Sequence, residues 1–258
     1  MCLLVFAFKM HADYPLIFAG NRDEFHGRPA NAADLWDNHP ELLAGRDLQA
    51  GGAWLGVTRT GRFATVTNFR EPDVRGPGER SRGEIVVEYL TGSQSPPEFL
   101  AALEPDAQQY GGFNLLLGSA DAFHYFSNRN GPSTSLRPDV YGLSNGWLDT
   151  PWPKVQRARR LFRDVVERGA FSPEDLLDVL ADLHVPVDED LPSTGIDLEW
   201  ERVISSIFIS GPEYGTRAST VVLMHRSGEI IFVERSFGPN GVETDTRRFR
   251  FQNEISCV

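Results

Sequence analysis

The chain opens with an unbroken apolar run, Cys2-Leu3-Leu4-Val5-Phe6-Ala7-Phe8, before Lys9. Successive residues of a strand point to opposite faces, so a run apolar at every position fits a strand covered on both sides. It is too short for a membrane-spanning helix, which needs about 20 apolar residues. The fold must therefore place an apolar layer on each face of the first strand, which an open sheet with one wet face does not do.

The rest of the chain supplies those layers. Strands are expected over 15–20, 53–58, 62–68, 113–118, 122–127, 140–145, 205–210, 219–225, 229–234 and 246–251. Arg59-Thr60-Gly61 and Ser227-Gly228 read as hairpin turns. Helices are expected over 81–90, from Ser95, over 152–169 and over 172–184; Ser81-Arg82-Gly83-Glu84 carries the capping-box spacing at the first of these. The helices fall in two blocks between groups of strands, which is not the alternation of a parallel α/β sheet. The pattern predicts an α+β fold: two stacked, mainly antiparallel sheets between helix layers. No linker, repeat or low-complexity tract interrupts residues 1–258, so a single domain is expected, with the acidic stretch 186–198 as a surface excursion.

The net charge is 25 − 36 = −11. An acidic chain lacks the basic footprint of a nucleic-acid binder and gains nothing from an anionic membrane. No apolar run reaches membrane length, so no stable membrane insertion is expected. The two cysteines, Cys2 and Cys257, stand at opposite ends, which argues for a reducing cytoplasm rather than a disulfide framework. The first residues lack the pattern of a signal peptide. A small second residue permits removal of Met1, which would leave Cys2 with a free α-amine.

That amine has an ordinary pKa of about 7.7–8.0 and a thiol about 8.5, so the amine can take the thiol proton near neutrality. Cys2 is then a candidate nucleophile; the alternative is a small apolar residue heading a buried strand. The quartet Asn21-Arg22-Asp23-Glu24 follows the second strand. Asp23 could hold the ammonium and Arg22 lower the thiol pKa, or the two could form a structural ion pair. Asn68, Asn145 and Arg217 stand at strand ends, either as turn formers or aimed at a developing oxyanion. The glycine-rich stretch 75–83 carries Arg75, Arg80 and Arg82 and opens a helix, an arrangement suited to an anion or to a solvated loop. These three arginines and Asn21 are the ligand-binding candidates. No histidine has metal-ligand spacing and no metal site is expected; His26 and His39 read as surface residues, with ligation of a haem iron the alternative.

In order along the chain stand Met1-Cys2-Leu3-Leu4, Asn21-Arg22-Asp23-Glu24-Phe25, Arg28-Pro29, Gly51-Gly52-Ala53-Trp54-Leu55-Gly56, Thr67-Asn68, Arg82-Gly83-Glu84, Gly112-Phe113-Asn114-Leu115, Tyr141-Gly142-Leu143-Ser144-Asn145, Thr150-Pro151-Trp152-Pro153-Lys154, Tyr214-Gly215-Thr216-Arg217 and Glu234-Arg235-Ser236. This set resembles the NRDE family, also called the transport and Golgi organization family. The resemblance implies a four-layer αββα sandwich, the N-terminal-nucleophile hydrolase fold. It also implies a distant similarity to the choloylglycine hydrolase and penicillin V acylase group, in which a processed cysteine works with an arginine, an aspartate, two asparagines and a later arginine. Cys2, Arg22, Asp23, Asn68, Asn145 and Arg217 take comparable places, although Asn-Arg-Asp stands here where those enzymes have Arg-x-x-Asp.

Two functions follow as expectations. One is hydrolysis of a non-peptide C–N amide bond, or acyl transfer, at Cys2 without a required cofactor. The other, implied by the family's links to haem handling and acyl-CoA metabolism, is a carrier binding haem or an acyl-CoA in the same pocket. Both make the partner a small molecule.

Overall fold

The structure, a computed structural model, describes residues 2–71 and 78–253. Arg75, Cys257 and Met1 lie outside the described residues. Two antiparallel sheets stack face to face. The first contains β1 (Cys2–Phe8), β2 (Leu16–Phe25), β10 (Asp139–Leu143), β11 (Tyr214–Met224), β12 (Glu229–Phe237) and β13 (Glu243–Gln252), in the order β10-β1-β2-β11-β12-β13. The second runs in sequence order through β3 (Ala30–Trp36), β4 (His39–Asp47), β5 (Leu55–Thr58), β6 (Phe63–Asn68), β7 (Phe113–Gly118), β8 (Phe123–Ser127) and β9 (Thr134–Ser135).

The apolar first strand explains the layering. Leu3, Val5 and Ala7 pack outward with Ile17 and Val221 against Ala158, Phe162, Leu176 and Leu180 of helices α3 (Pro153–Val166) and α4 (Pro173–Leu180). Leu4, Phe6 and Phe8 point the other way and meet Val57, Phe63 and Phe123 of the second sheet. The far face of that sheet is covered by Ile85, Tyr89, Phe99 and Leu103 of helices α1 (Arg82–Thr91) and α2 (Pro96–Leu103). The result is the expected α+β sandwich of four layers, αββα. Among the described residues no helix is long and apolar enough to cross a membrane.

Four local expectations are corrected. The quartet Asn21 to Glu24 is not a turn after β2 but its second half, because it pairs with β1 on one side and β11 on the other. Residues 30–47, where no strand is expected, form the β3–β4 hairpin; bulges break its alternation and hid it in the sequence. The apolar stretch 205–210 forms no strand, since its backbone bonds are satisfied singly: the Phe208 N–H donates to the Asp182 carbonyl and the Ile207 carbonyl accepts from the Asn21 amide. Ser81 does not cap α1 through its hydroxyl: the Glu84 N–H donates to the Ser81 carbonyl instead, and the Glu84 carboxylate pairs with Arg80 rather than reaching back to the Ser81 N–H. The capping boxes at Ser95 and Ser172 do form, and a short helix, α5 (Leu198–Val203), follows the acidic stretch.

Candidate functional site

Strand pleat decides which side chains meet. Cys2 is directly opposite Arg22 in the β1–β2 pair, and both point into the space between the sheets. The neighbouring Asn21 points the other way, towards the α3–α4 layer. Cys2 stands at the open end of the sandwich, on the wall of a cleft of about 350 Å³. Arg22, Asp23, Asp47, Trp54, Asn68, Arg80 and Arg82 contribute to the same wall. The residue is partly exposed, but its thiol is deep enough for burial to push its pKa up, against the opposing pull of the nearby Arg22 charge.

Arg22 is held in place from two directions. Its guanidinium lies 4.4 Å from the Trp54 ring centre and 3.6 Å from the Asp47 carboxylate. Asp47 also accepts from Arg28 at 2.6 Å and from the Gln49 and Ala50 amides. Burial pushes the Asp47 carboxyl up, but these donors outweigh it and leave it below its ordinary range. The 47–54 segment is pressed on the start of α1: the Ala53 N–H donates to the Gly83 carbonyl, and a Cβ on Gly52 would fall 2.4 Å from the Gly83 carbonyl carbon. Glycine at 52 is thus a condition for the cleft wall to close.

The other sequence candidates separate into cleft residues and supports. Asn68 ends β6 and is exposed at the cleft. Asn145 is wholly buried: its amide donates to the Asn68 carbonyl and its own carbonyl accepts from the Arg70 N–H, so it ties the ends of β6 and β10 together. Arg217 is the extra residue of a bulge between Thr216 and Ala218 in β11. The bulge turns its side chain to the loop after β2, where it donates to the Phe25, His26 and Arg28 carbonyls. Asn21 is buried away from the cleft, donating to the Leu180 and Ile207 carbonyls and accepting from Ser219. Arg80 lines the cleft but pairs with Glu84 and Glu88. Arg82 donates to the Gly112 carbonyl and has no acidic partner within ion-pair distance among the described residues. Neither His26 nor His39 lines the cleft, and no group of three or more metal-ligating side chains occurs among the described residues.

A second layer behind the cleft was not anticipated. Asp23 accepts from the Thr216 hydroxyl at 2.7 Å, and burial raises its carboxyl pKa above the ordinary value against the pull of Lys154, Thr216 and Arg22. Lys154, in the first turn of α3, is buried with its ammonium donating to the Ile204 carbonyl. Arg70 pairs with Glu201 at 3.0 Å and stacks on Trp152. The signal for Lys154 lay in the Thr150-Pro151-Trp152-Pro153-Lys154 block; nothing local marks Glu201.

The sequence profile of the family described as Transport and Golgi organisation 2 matches residues 1–239. The chain belongs to this family. The Transport and Golgi organization protein 2 homolog of Bos taurus is 36% identical over 279 residues, covering 98% of this chain and 100% of that protein. The homolog of Homo sapiens is 35% identical over 278 residues, with the same coverage. Among solved structures, a cysteine-to-alanine mutant of the conjugated bile acid hydrolase from Clostridium perfringens superposes with a TM-score of 0.53 at 9% identity, covering 98% of this chain and 92% of that one. The family member described here therefore has the N-terminal-nucleophile hydrolase fold.

Proposed function

We propose that this family member is a cysteine amidohydrolase or acyl transferase acting on a non-peptide C–N amide, with Cys2 as nucleophile once Met1 has been removed. The observation that carries the proposal is the position of the Cys2 thiol on the cleft wall, opposite the clamped Arg22 guanidinium and next to buried Asp23. The raised thiol pKa means that the sulfur needs a base, and the α-amine of a processed Cys2 is the nearest one. The amine takes the thiol proton as Sγ attacks the carbonyl carbon. The Asn68 amide supplies a donor to the oxyanion, and the ammonium returns the proton to the leaving nitrogen as the C–N bond breaks. Water, or an acceptor nucleophile in transfer, then attacks the Cys2 thioester and frees the acid or its new derivative.

Among the described residues the Arg82 guanidinium meets no carboxylate, which favours a substrate with a carboxylate or phosphate near the reacting carbonyl. The same residue supports a second reading, in which the cleft carries haem or an acyl-CoA unchanged and Arg82 and Arg80 meet propionates or phosphates. Intact mass of protein from its native host separates the two. The first requires a chain lacking Met1 that gains the mass of one acyl group at residue 2 from an activated amide or ester. Retention of Met1 overturns it, and saturable ligand binding unchanged in Cys2→Ala would favour the carrier.

A further inference from the structure

The block Glu234-Arg235-Ser236 stands out in the sequence, yet none of its residues lines the Cys2 cleft. Strand register shows where it leads. On the face turned to the second sheet, one row of paired residues crosses the first sheet from the cleft: Cys2, Arg22, Ala218, Ser236 and Asp245. The next row on that face carries Gly20, Thr220, Glu234 and Arg247. Ala218, Ser236 and Glu234 floor a second cavity, of about 220 Å³, roofed by Ala30 and Ala32 of β3. The alanines leave the space that larger side chains would fill. Arg22 and Trp54 line both this cavity and the cleft, so their stack is the shared wall.

The charges around this cavity do not balance. Glu234 is only 1% exposed, and its carboxylate accepts from neutral donors alone, the Ala33 N–H at 2.6 Å and the Thr220 hydroxyl at 3.3 Å. Arg247 is opposite it in the β12–β13 pair, but turns its guanidinium to Asp34, Asp245 and the Ala33 carbonyl. Arg22 pairs with Asp47 and Glu24 at 3.6 and 3.9 Å. Arg217 is taken by the Phe25, His26 and Arg28 carbonyls. Among the described residues no cation lies within ion-pair distance of Glu234. Buried carboxylates are ordinarily paired with a cation, and burial pushes this one up to about 6, which leaves it mostly ionised at neutral pH.

We infer that this cavity is a second ligand site beside the cleft, and that its ligand carries an ammonium group that pairs with Glu234. The site goes beyond the Cys2 chemistry and does not depend on it. Glu234 stands three strands from Cys2 in the first sheet, about 14 Å or more at the usual strand spacing, so a group bound there is not the one the thiol attacks.

The test titrates the full-length protein near neutral pH with hexylamine, hexanol and hexanoate, one chain with a cationic, a neutral and an anionic head. The reporter is the Trp54 indole N–H resonance, assigned by its loss in Trp54→Phe. Hexylamine should shift it saturably, and the other two should not. Trp54 also faces the Cys2 cleft, so two variants locate the binding. Glu234→Gln removes the charge and keeps an acceptor for Ala33; it should raise the hexylamine midpoint by about tenfold or more, the effect of losing a hydrogen bond to a charged group. Ala32→Leu fills the cavity and should abolish the response. A midpoint unchanged in either folded variant, or an equal response to the three heads, overturns the inference. Should a variant fail to fold, the wild type still decides: at saturation the hexylamine methylenes should show nuclear Overhauser contacts to the Ala218 methyl, and their absence overturns the site.

Discussion

The Arg22 guanidinium lies over the Trp54 ring at 4.4 Å, and that stack bridges the two sheets beside Cys2. The ring can lie there only because Gly45 has no side chain, since a Cβ at 45 would fall 2.1 Å from it. Gly45→Ala should therefore displace Trp54 and release Arg22. Overpacking of this kind costs about 1–3 kcal/mol, and the lost cation–π contact is worth about 0.5–2 kcal/mol. Urea unfolding should show the loss, and iodoacetamide should label Cys2 more slowly as Arg22 leaves the thiol. Gly45→Ala/Trp54→Leu, which removes the clash, should unfold later than the sum of the two single losses implies.

The two asparagines should fail in different assays. Asn145 is fully buried and its amide serves the Asn68 carbonyl. Asn145→Ala leaves that carbonyl short of a donor, a loss of about 1–3 kcal/mol visible in urea unfolding. Asn68 is exposed at the cleft, and Asn68→Ala should change stability by no more than about 0.5 kcal/mol. Acylation of Cys2 should instead fall by about 100-fold or more, the effect of losing an oxyanion donor. Equal acylation by Asn68→Ala and the wild type would remove Asn68 from the mechanism.

These contrasts show where the sequence is readable. The covered first strand follows from seven apolar residues in a row, and the four layers follow from that strand together with the two helix blocks. Cys2 and Arg22 were legible because Cys2 heads the first strand and Arg22 lies close by in sequence, on the strand that pairs with it. The different duties of Asn68 and Asn145 were not, because one hydrogen bond between residues 77 positions apart decides them. The Arg70–Glu201 pair, 131 positions apart, was invisible for the same reason: each charge alone reads as surface. Strand parity also turned Asn21 from the cleft to the helix layer, which follows once β2 is known to run on to Phe25.

Glu234 gives a pH test. It is buried on β12 and accepts from the Ala33 N–H of β3, so it joins the sheets across a bulge that leaves that N–H without a strand partner. Burial pushes its carboxyl from 4.5 up to about 6. A carboxyl raised in the folded state stabilises the fold below the unfolded value, and this is lost as pH rises through the folded one. The protein should forfeit about 2 kcal/mol between pH 4.5 and 6 on account of Glu234. Glu234→Gln keeps an acceptor for Ala33 and cannot ionise. The wild type minus Glu234→Gln difference in unfolding free energy should decline across that window and be flat above it; a flat difference throughout would contradict the assignment.

The Arg70–Glu201 pair should behave as a unit. Both side chains are less than a tenth exposed, the guanidinium contacts both carboxylate oxygens, and Thr194 donates to the same carboxylate. Removing one partner strands a buried charge and costs about 3–5 kcal/mol, whereas replacing both with apolar residues is often neutral or better. Arg70→Met and Glu201→Leu should each lower the urea midpoint strongly, and the double variant should recover most of the loss. Recovery has a consequence for the site, because the Arg70 N–H holds the Asn145 carbonyl through the backbone, which the side-chain replacement leaves in place. Cys2 labelling should therefore return with stability in the double variant. Additive losses would mean that the ion pair contributes little and that each residue stabilises through packing alone, Arg70 through its stack on Trp152.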